Sequence, residues 1–322
     1  METKRLNPDT LSGRQLSVAV LVSGLSPAAA LAGRAEWPWL VLWAGVGIVL
    51  GWLTLHRLGG RPLFQGVCGG VLAVLYGVWA VVLAARVLIR AAERIELTSG
   101  GEQTKLWLLL LLALPLIWMC WGKAAPFFRM AEILWLAMAL VLTLVVLFGV
   151  IRVEWRYVKP TGDGWLKAAL VMGETMTPGL FVVPYMYKTQ EPEKSDRGLV
   201  WLAGLGGLSI VLSVITAGIL GGAVPEVAQP FFVAAGLLGN SARCEGLLSA
   251  LWLLPDLTMA GLLCRVWGSR RWPAASAILA AALAASGLLE FLPNFIYPCG
   301  TLFLAVLMLL FPKGIGKIVV EF

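Results

Sequence analysis

Charged residues are scarce in this chain. Asp, Glu, Lys and Arg together make up 13% of the 322 residues, whereas hydrophobic residues make up 59%. Soluble domains contain roughly a quarter charged residues. Together with a mean hydropathy of +0.86, this composition excludes an ordinary soluble globular protein. We predict an all-α polytopic membrane protein, whose architecture is set by the thickness of the bilayer.

Residues for metal binding and catalysis are also few. His56 is the single histidine, and the five cysteines are scattered, with no C-x-x-C pair. We therefore expect reduced cysteines that fill apolar space, no metal site and no cofactor. The chain has no G-x-S-x-G, P-loop or H-E-x-x-H motif, so we do not expect an enzyme. The net charge of +7 comes from basic residues in short loops, which set membrane topology and do not indicate nucleic-acid binding.

Hydropathy divides the chain into ten apolar stretches, most of them near the roughly 20 residues that a transmembrane helix needs. We expect residues 1–322 to form a single transmembrane domain. The predicted spans are Gln15–Ala32, Trp37–Leu55, Leu63–Ala85, Leu106–Trp121, Ile133–Ile151, Trp165–Tyr187, Leu199–Leu220, Gly246–Cys264, Trp272–Leu289 and Phe295–Phe311.

The distribution of Lys and Arg predicts the orientation of these spans. With the N-terminus inside, 15 of the 25 basic residues fall on the cytoplasmic side, in line with the positive-inside rule. We therefore expect both termini in the cytoplasm. The loop from Arg152 to Lys167 places four basic residues on the opposite side, and one span more or fewer upstream would reverse its orientation.

Two spans carry glycine, proline and hydroxyl residues at their centre. The sixth span contains GETMTPG at residues 173–179, and the first contains SGLSP at residues 23–27. Proline lacks a backbone N–H and its ring clashes with the preceding turn, so we predict that both helices are unwound there. Interruptions at corresponding positions of two halves are typical of an inverted-repeat transporter fold, here with repeats of about residues 11–155 and 160–311. An ordinary proline kink and a chance coincidence of Gly and Pro are the alternatives.

Two carboxylates lie within predicted spans, where an ionisable side chain costs roughly 3 kcal/mol and normally faces a cavity or a partner. Glu174 is next to the predicted break of span six, and Asp256 follows Pro255 in span eight. Either is a candidate for contact with a ligand ammonium group or a proton, with an internal contact between helices as the alternative. Tyr76 is a further candidate for lining a pocket, with an interhelical hydrogen bond as the simpler explanation. Ser249 and Thr258 of span eight are candidates for coordinating an ion or a ligand, with helix packing as the simpler explanation.

Three stretches resemble one known family. The opening LSGRQLSVAVLVSGL is similar to the first helix of spore-germination permeases. WGKAAPFFRMAEIL resembles the family's Gly, Arg, Ala/Ser-Glu pattern between spans four and five, and SARCEGLLSALWLLPDL resembles its Arg, Glu/Asp, apolar, Trp stretch near span eight. The residues that carry the last two similarities are Gly122, Arg129, Ala131, Glu132, Arg243, Glu245 and Trp252.

This family comprises the membrane-embedded B subunits of nutrient germinant receptors, within the amino acid–polyamine–organocation (APC) superfamily. The resemblance implies a ten-span, LeuT/APC-like inverted repeat of five plus five helices, with helices 1 and 6 broken. It also implies a small germinant, often an amino acid, bound among spans one, three, six and eight. The implied location is the spore inner membrane, and the implied partners are membrane lipid, an A subunit and a lipoprotein C subunit. A secondary amino-acid transporter of the same superfamily is the alternative. The predicted ligand-binding residues are Ser23, Gly24, Ser26, Tyr76, Gly173, Glu174, Thr175, Thr177, Ser249, Trp252 and Asp256.

Overall fold

The chain folds into a bundle of helices. The computed structural model describes residues 13–58, 66–99, 105–160, 162, 164–182, 197–238, 242–267 and 272–310. The structure is 90% helical, and no β-strand occurs in these ranges. The all-α prediction is therefore confirmed.

Twelve α-helices follow one another along the described chain, and short 3₁₀ turns join several of them. The helices are α1 (Gly13–Ala30), α2 (Trp37–Leu58), α3 (Gly66–Ser99), α4 (Lys105–Cys120), α5 (Ala124–Arg152), α6 (Trp165–Thr177), α7 (Arg197–Leu220), α8 (Pro230–Leu238), α9 (Ala242–Leu251), α10 (Leu253–Cys264), α11 (Trp272–Ala285) and α12 (Ile296–Leu310).

Several helices have the length and apolarity of membrane spans. Five stretches are long and apolar enough to cross a membrane, and α4 and α11 are shorter apolar helices. This agrees with the predicted membrane protein. The five stretches are Trp37–Thr54, Gly70–Thr98, Ala124–Arg152, Val200–Glu226 and Cys244–Cys264.

Helix α3 extends well beyond its predicted end. The predicted span stopped at Ala85, before the first arginine, whereas the helix continues to Ser99. Residues 78–99 contain neither Gly nor Pro, so the backbone has no reason to stop there. At 1.5 Å per residue, the 34 residues of α3 extend about 50 Å, well over the roughly 30 Å of a hydrocarbon core. Arg86, Arg90 and Arg94 are therefore part of the bundle and do not lie in a loop.

Helix α1 runs through the bundle without a break. It is α-helical from Gly13 to Ala30, with Pro27 inside it, and its residues 16–29 are all buried. The predicted unwinding at residues 23–27 is wrong. Pro27 removes one N–H, and neighbouring helices and hydroxyl groups compensate for such a loss in membrane helices. The Ser23 hydroxyl donates to the carbonyl of Val20, 2.9 Å away, within the same helix.

Helix α6 changes its winding where a break was predicted. Beyond Thr177 it continues as a π-helical turn, Pro178–Val182, and Pro178 keeps right-handed helical angles (φ −59°, ψ −42°). The predicted unwound segment at residues 173–179 is therefore also wrong. A π turn accommodates local irregularity without opening the helix. Residues 183–187 of the predicted sixth span lie outside the described residues.

Span eight departs from regular α-helix at one residue. There α9 ends at Leu251 and α10 begins at Leu253, with Trp252 in a turn between them. Pro255 has no N–H to donate to the Leu251 carbonyl, which accounts for this turn. Trp252 keeps right-handed helical angles (φ −72°, ψ −10°), and the Asp256 N–H donates to its carbonyl at 3.3 Å, so the predicted span Gly246–Cys264 continues through this turn.

The helices surround α1. This helix packs on α5, α6, α7 and α10, while α3 packs on α4, α9, α10 and α11. Gly24 of α1 allows α7 to come close, since a Cβ built on it would lie 2.3 Å from Cδ2 of Leu205. Leu205 is fully buried, so its side chain has no free space to move into.

Replacing Gly24 by valine should therefore destabilise the bundle. Overpacking a filled core costs about 1–3 kcal/mol. Gly45→Val is the matched control, because a Cβ at this helical glycine meets no heavy atom within 4 Å. We expect Gly24→Val to lower the thermal midpoint of the purified protein clearly more than Gly45→Val does. Equal midpoints for the two variants would contradict the close contact between α1 and α7.

Candidate functional site

A cavity of about 1000 Å³ lies at one end of the bundle. It is lined by the ends of α1 and α7, the second half of α3, and residues at the beginnings of α2 and α6 and around the beginning of α12. We call it the charged cavity. Five basic and three acidic residues line it: Arg34, Arg86, Arg90, Lys159, Lys167, Glu36, Glu93 and Glu174.

An ion pair joins α3 to α6 in the buried part of the charged cavity. Nη2 of Arg90 donates to both carboxylate oxygens of Glu174, at 2.6 and 2.7 Å. The two side chains are 16% and 10% exposed. A carboxylate this deep in an apolar bundle needs a counter-charge, and Arg90 supplies it. Glu174 is therefore already neutralised within the protein.

Arg86 lies one helical turn before Arg90 and has neutral partners. Its guanidinium donates to the side-chain carbonyl of Asn294, and its Cζ lies 5.0 Å from the centroid of the Tyr297 ring. Its Nε is buried and has no hydrogen-bond partner among the described residues. A cation oriented by an amide and an aromatic ring, without a carboxylate, still has its full charge to offer an anion.

Arg34 lies at the solvent-exposed mouth of the charged cavity. Its Nη2 donates to the backbone carbonyl of Ala228 at 2.8 Å. Partial burial and the neighbouring Arg90 lower the pKa of Arg34 below its ordinary value, while Glu174 acts in the opposite direction. Arg34 thus adds a cationic side chain at the mouth, outside the inner ion pair.

A second ion pair is sealed inside the bundle. Arg94, one turn beyond Arg90, donates from Nη2 to Asp256 of α10, and the two side chains are 2% and 5% exposed. Nε of Arg94 also donates to the hydroxyl of Ser249 at 3.2 Å. The guanidinium lies 4.9 Å from the ring centroid of Phe232. Arg94 is thus paired and bonded within the protein itself, which indicates a structural role.

Trp252 of span eight bonds to the central helix α1. It is fully buried, and its indole N–H donates to the carbonyl of Leu25 in α1 at 3.1 Å. Its ring packs on Phe231 and Phe232, with centroids 5.1 and 5.8 Å away. The tryptophan therefore acts in packing and does not face the charged cavity.

Of the eleven predicted ligand-binding residues, Glu174 lines the charged cavity. The others lie in packed parts of the bundle: the hydroxyls of Ser23, Thr175 and Thr177 donate to carbonyls of their own helices. Gly173 approaches Pro298 instead, with a built Cβ 3.0 Å from its Cβ. Ser249 and Asp256 come together, but on Arg94. The remaining predicted residues, Gly24, Ser26, Tyr76 and Trp252, are buried in the bundle.

The predicted site residues do not include the arginines of α3. The predicted end of span three at Ala85 places Arg86, Arg90 and Arg94 in a loop, whereas the helix continues to Ser99. Their spacing of four residues was the available signal, since side chains four apart lie on one face of a helix. The three guanidinium groups indeed follow one another along α3 from the cavity into the core.

No known protein family model matches this chain. No curated protein matches it either. Among the described residues, no group of three or more His, Cys, Asp or Glu side chains is placed to hold a metal ion.

The sealed pair makes a prediction about stability. Removing one partner of a buried ion pair leaves an uncompensated charge and costs about 3–5 kcal/mol, whereas replacing both can be nearly neutral. We expect Arg94→Met to lower the thermal midpoint of the detergent-purified protein far more than Arg94→Met combined with Asp256→Leu.

Arg156→Met is the control for loss of an arginine, since Arg156 pairs with Glu154 on the surface, where both side chains are more than half exposed. It should leave the midpoint almost unchanged. A double variant that is less stable than Arg94→Met alone would contradict the assignment of Arg94 and Asp256 as mutual counter-charges.

Proposed function

We propose that this protein binds a small organic solute in the charged cavity and serves as the membrane subunit of a nutrient germinant receptor. The observation that carries the proposal is the cavity itself, which reaches from solvent to a buried ion pair in an apolar bundle. Its volume, about 1000 Å³, fits the range of small-molecule sites, in which a few polar groups orient the ligand.

Helix packing supports a five-plus-five inverted repeat. In such a repeat, α1, α2, α4 and α5 correspond to α6, α7, α11 and α12, and α3 corresponds to α9 with α10. The contacts then occur in equivalent pairs: α1 packs on α7 and α6 on α2, α1 on α5 and α6 on α12, and α3 on α11 and α10 on α4. Equivalent contacts in two halves are expected when both halves fold alike.

The position of the cavity fits ten alternating spans. In that arrangement, the ends of spans one, three, five and seven lie on the same side as the beginnings of spans two, six and ten. These are the segments around the charged cavity. With both termini in the cytoplasm, the cavity would open to the outer side, where a nutrient arrives.

The resemblance to spore-germination permeases supports a sensing role. Its motif residues connect helices in the structure: Glu132 of α5 pairs with Arg14 of α1, with the Arg14 Nε 3.5 Å from Oε1 of Glu132, and Trp252 bonds to Leu25. Motions of α1 would thus reach both neighbours. We propose that a germinant, such as an amino acid, shifts this packing, and that an A subunit and a lipoprotein C subunit detect the shift in the spore inner membrane.

Solute transport is the second candidate. One contact in the first half lacks its counterpart in the second. Helix α1 packs along α10, but the corresponding helices α6 and α3 form no comparable packed interface among the described residues. The Arg90–Glu174 pair bridges that gap. Closing α6 on α3 while α1 leaves α10 would open the opposite side of the bundle, as a secondary transporter requires.

Blocking the cavity should abolish solute binding. Ala217 of α7 lines the charged cavity, whereas Val211 of the same helix is 39% exposed on the surface of the bundle. We expect wild-type protein to bind at least one member of a panel of amino acids, sugars and nucleosides saturably, measured by isothermal titration. Ala217→Trp should lose this binding and Val211→Trp should keep it. Absence of saturable binding across the panel would overturn the proposal.

Sensing and transport make different predictions. A receptor subunit predicts that spores lacking the protein fail to germinate in response to one nutrient and that purified protein in proteoliposomes does not accumulate it. A transporter predicts uptake that Ala217→Trp blocks. Uptake together with normal germination of the deletion strain would exclude the receptor function.

A further inference from the structure

We infer that the solute bound in the charged cavity is a small organic anion, and that Arg86 binds its carboxylate. This inference rests on the proposed solute-binding function and adds the charge of the ligand and the residue that recognises it.

The three arginines of α3 differ in how they are neutralised. Arg94 is paired with Asp256 and Arg90 with Glu174. Arg86, the one nearest the beginning of α3, forms no ion pair with a carboxylate among the described residues and instead contacts Asn294 and Tyr297. The α3 arginine row therefore ends, in the cavity wall, in one cation that forms no ion pair with a carboxylate among the described residues.

The surroundings of Arg86 suit a carboxylate. Its guanidinium is held in place by Asn294 and by the Tyr297 ring, so little side-chain freedom is lost when an anion binds. Its buried Nε has no hydrogen-bond partner among the described residues. Arg86 lines the cavity, and its guanidinium can donate a charge-assisted hydrogen bond to a carboxylate oxygen there.

Other polar groups in the cavity wall are also unpaired. The hydroxyl of Ser213, a residue only 2% exposed, and the side-chain carbonyl of Gln229 are buried without a hydrogen-bond partner among the described residues, and both residues line the cavity. Buried polar atoms without partners are costly. Both atoms are closed to solvent, so a ligand would bond to them only together with a movement of side chains in the wall.

The overall charge of the wall favours an anion over a neutral zwitterion. The five basic side chains outnumber the three acidic ones, and Glu174 is occupied by Arg90. Glu93, a third carboxylate of the wall, already bonds to Lys105 at 3.1 Å. The side chains that remain available to a ligand are therefore mainly cationic.

The test compares two ligands of nearly equal shape. L-glutamate carries one negative charge more than L-glutamine, so the ratio of their affinities isolates the charge. We expect the full-length protein, in nanodiscs of phosphatidylcholine without anionic lipid, to bind glutamate at least about tenfold more tightly, because hydrogen bonds to charged groups exceed neutral ones by that order. A ratio near one, or tighter binding of glutamine, would overturn the inference.

Two variants should move this ratio in opposite directions. Arg86→Gln removes the receiving cation and should lower the glutamate-to-glutamine ratio about tenfold, whereas Glu174→Gln frees Arg90 and should raise it. Arg156→Gln, on the exposed surface outside the cavity, should leave it unchanged. If the glutamate-to-glutamine affinity ratio of Arg86→Gln equals that of the wild-type protein, the proposed role of Arg86 is wrong.

The two proposals fail in different ways. If neutral amino acids bind saturably and Ala217→Trp blocks them, but the charge of the ligand has no effect, then solute binding stands and the anionic ligand is wrong. If no member of the panel binds, then both are wrong.

Discussion

A guanidinium group buried among apolar helices must find a partner. On insertion scales an arginine at the centre of a membrane helix costs about 2.5–3.5 kcal/mol, and an unpaired buried charge costs more. Helix α3 carries three arginines on one face, and each meets a different group: Asn294 and the Tyr297 ring, Glu174, and Asp256 with Ser249. These contacts tie α3 to α6, α10 and the start of α12.

The arginines of α3 differ in burial and in role along the helix. Exposure falls from Arg90, whose side chain is 16% exposed, to Arg94 at 2%, where the ion pair is sealed by Phe232. The inner pair fixes the contact between α3 and α10. The outer two arginines face the charged cavity, where their charge is available to a solute. The proposed binding site thus lies where the row of α3 arginines reaches the cavity, and the inner end of the same row stabilises the bundle.

The class of fold followed from composition, but the details depended on tertiary contacts. The apolar runs predicted a helical membrane protein. The predicted breaks at residues 23–27 and 173–179 are wrong because a proline by itself does not decide whether a helix opens. Every proline lacks a backbone N–H, and the side chains packed around it determine whether the helix continues. Pro27 and Pro178 remain in helical backbone, and Pro255 accompanies a single irregular turn at Trp252.

Hydropathy also concealed the most informative residues. It ended span three at the first arginine, although nothing in the backbone stops the helix before Ser99. Asp256 is a predicted ligand residue because it is ionisable and lies in an apolar span, and its partner Arg94 lies beyond the predicted end of span three. The structural role of Asp256 becomes clear only when Arg94 is known to contact it.

Water access along α7 is the most direct test of the account. Ala217 lines the charged cavity, and Ser209, two turns earlier on the same helix, is fully buried. In a background without the five native cysteines, Ala217→Cys should react rapidly with a membrane-impermeant, negatively charged methanethiosulfonate reagent, and Ser209→Cys should not react. Equal reactivity of the two cysteines, or reaction at Ser209→Cys alone, would contradict a solvent-filled cavity at this end of the bundle.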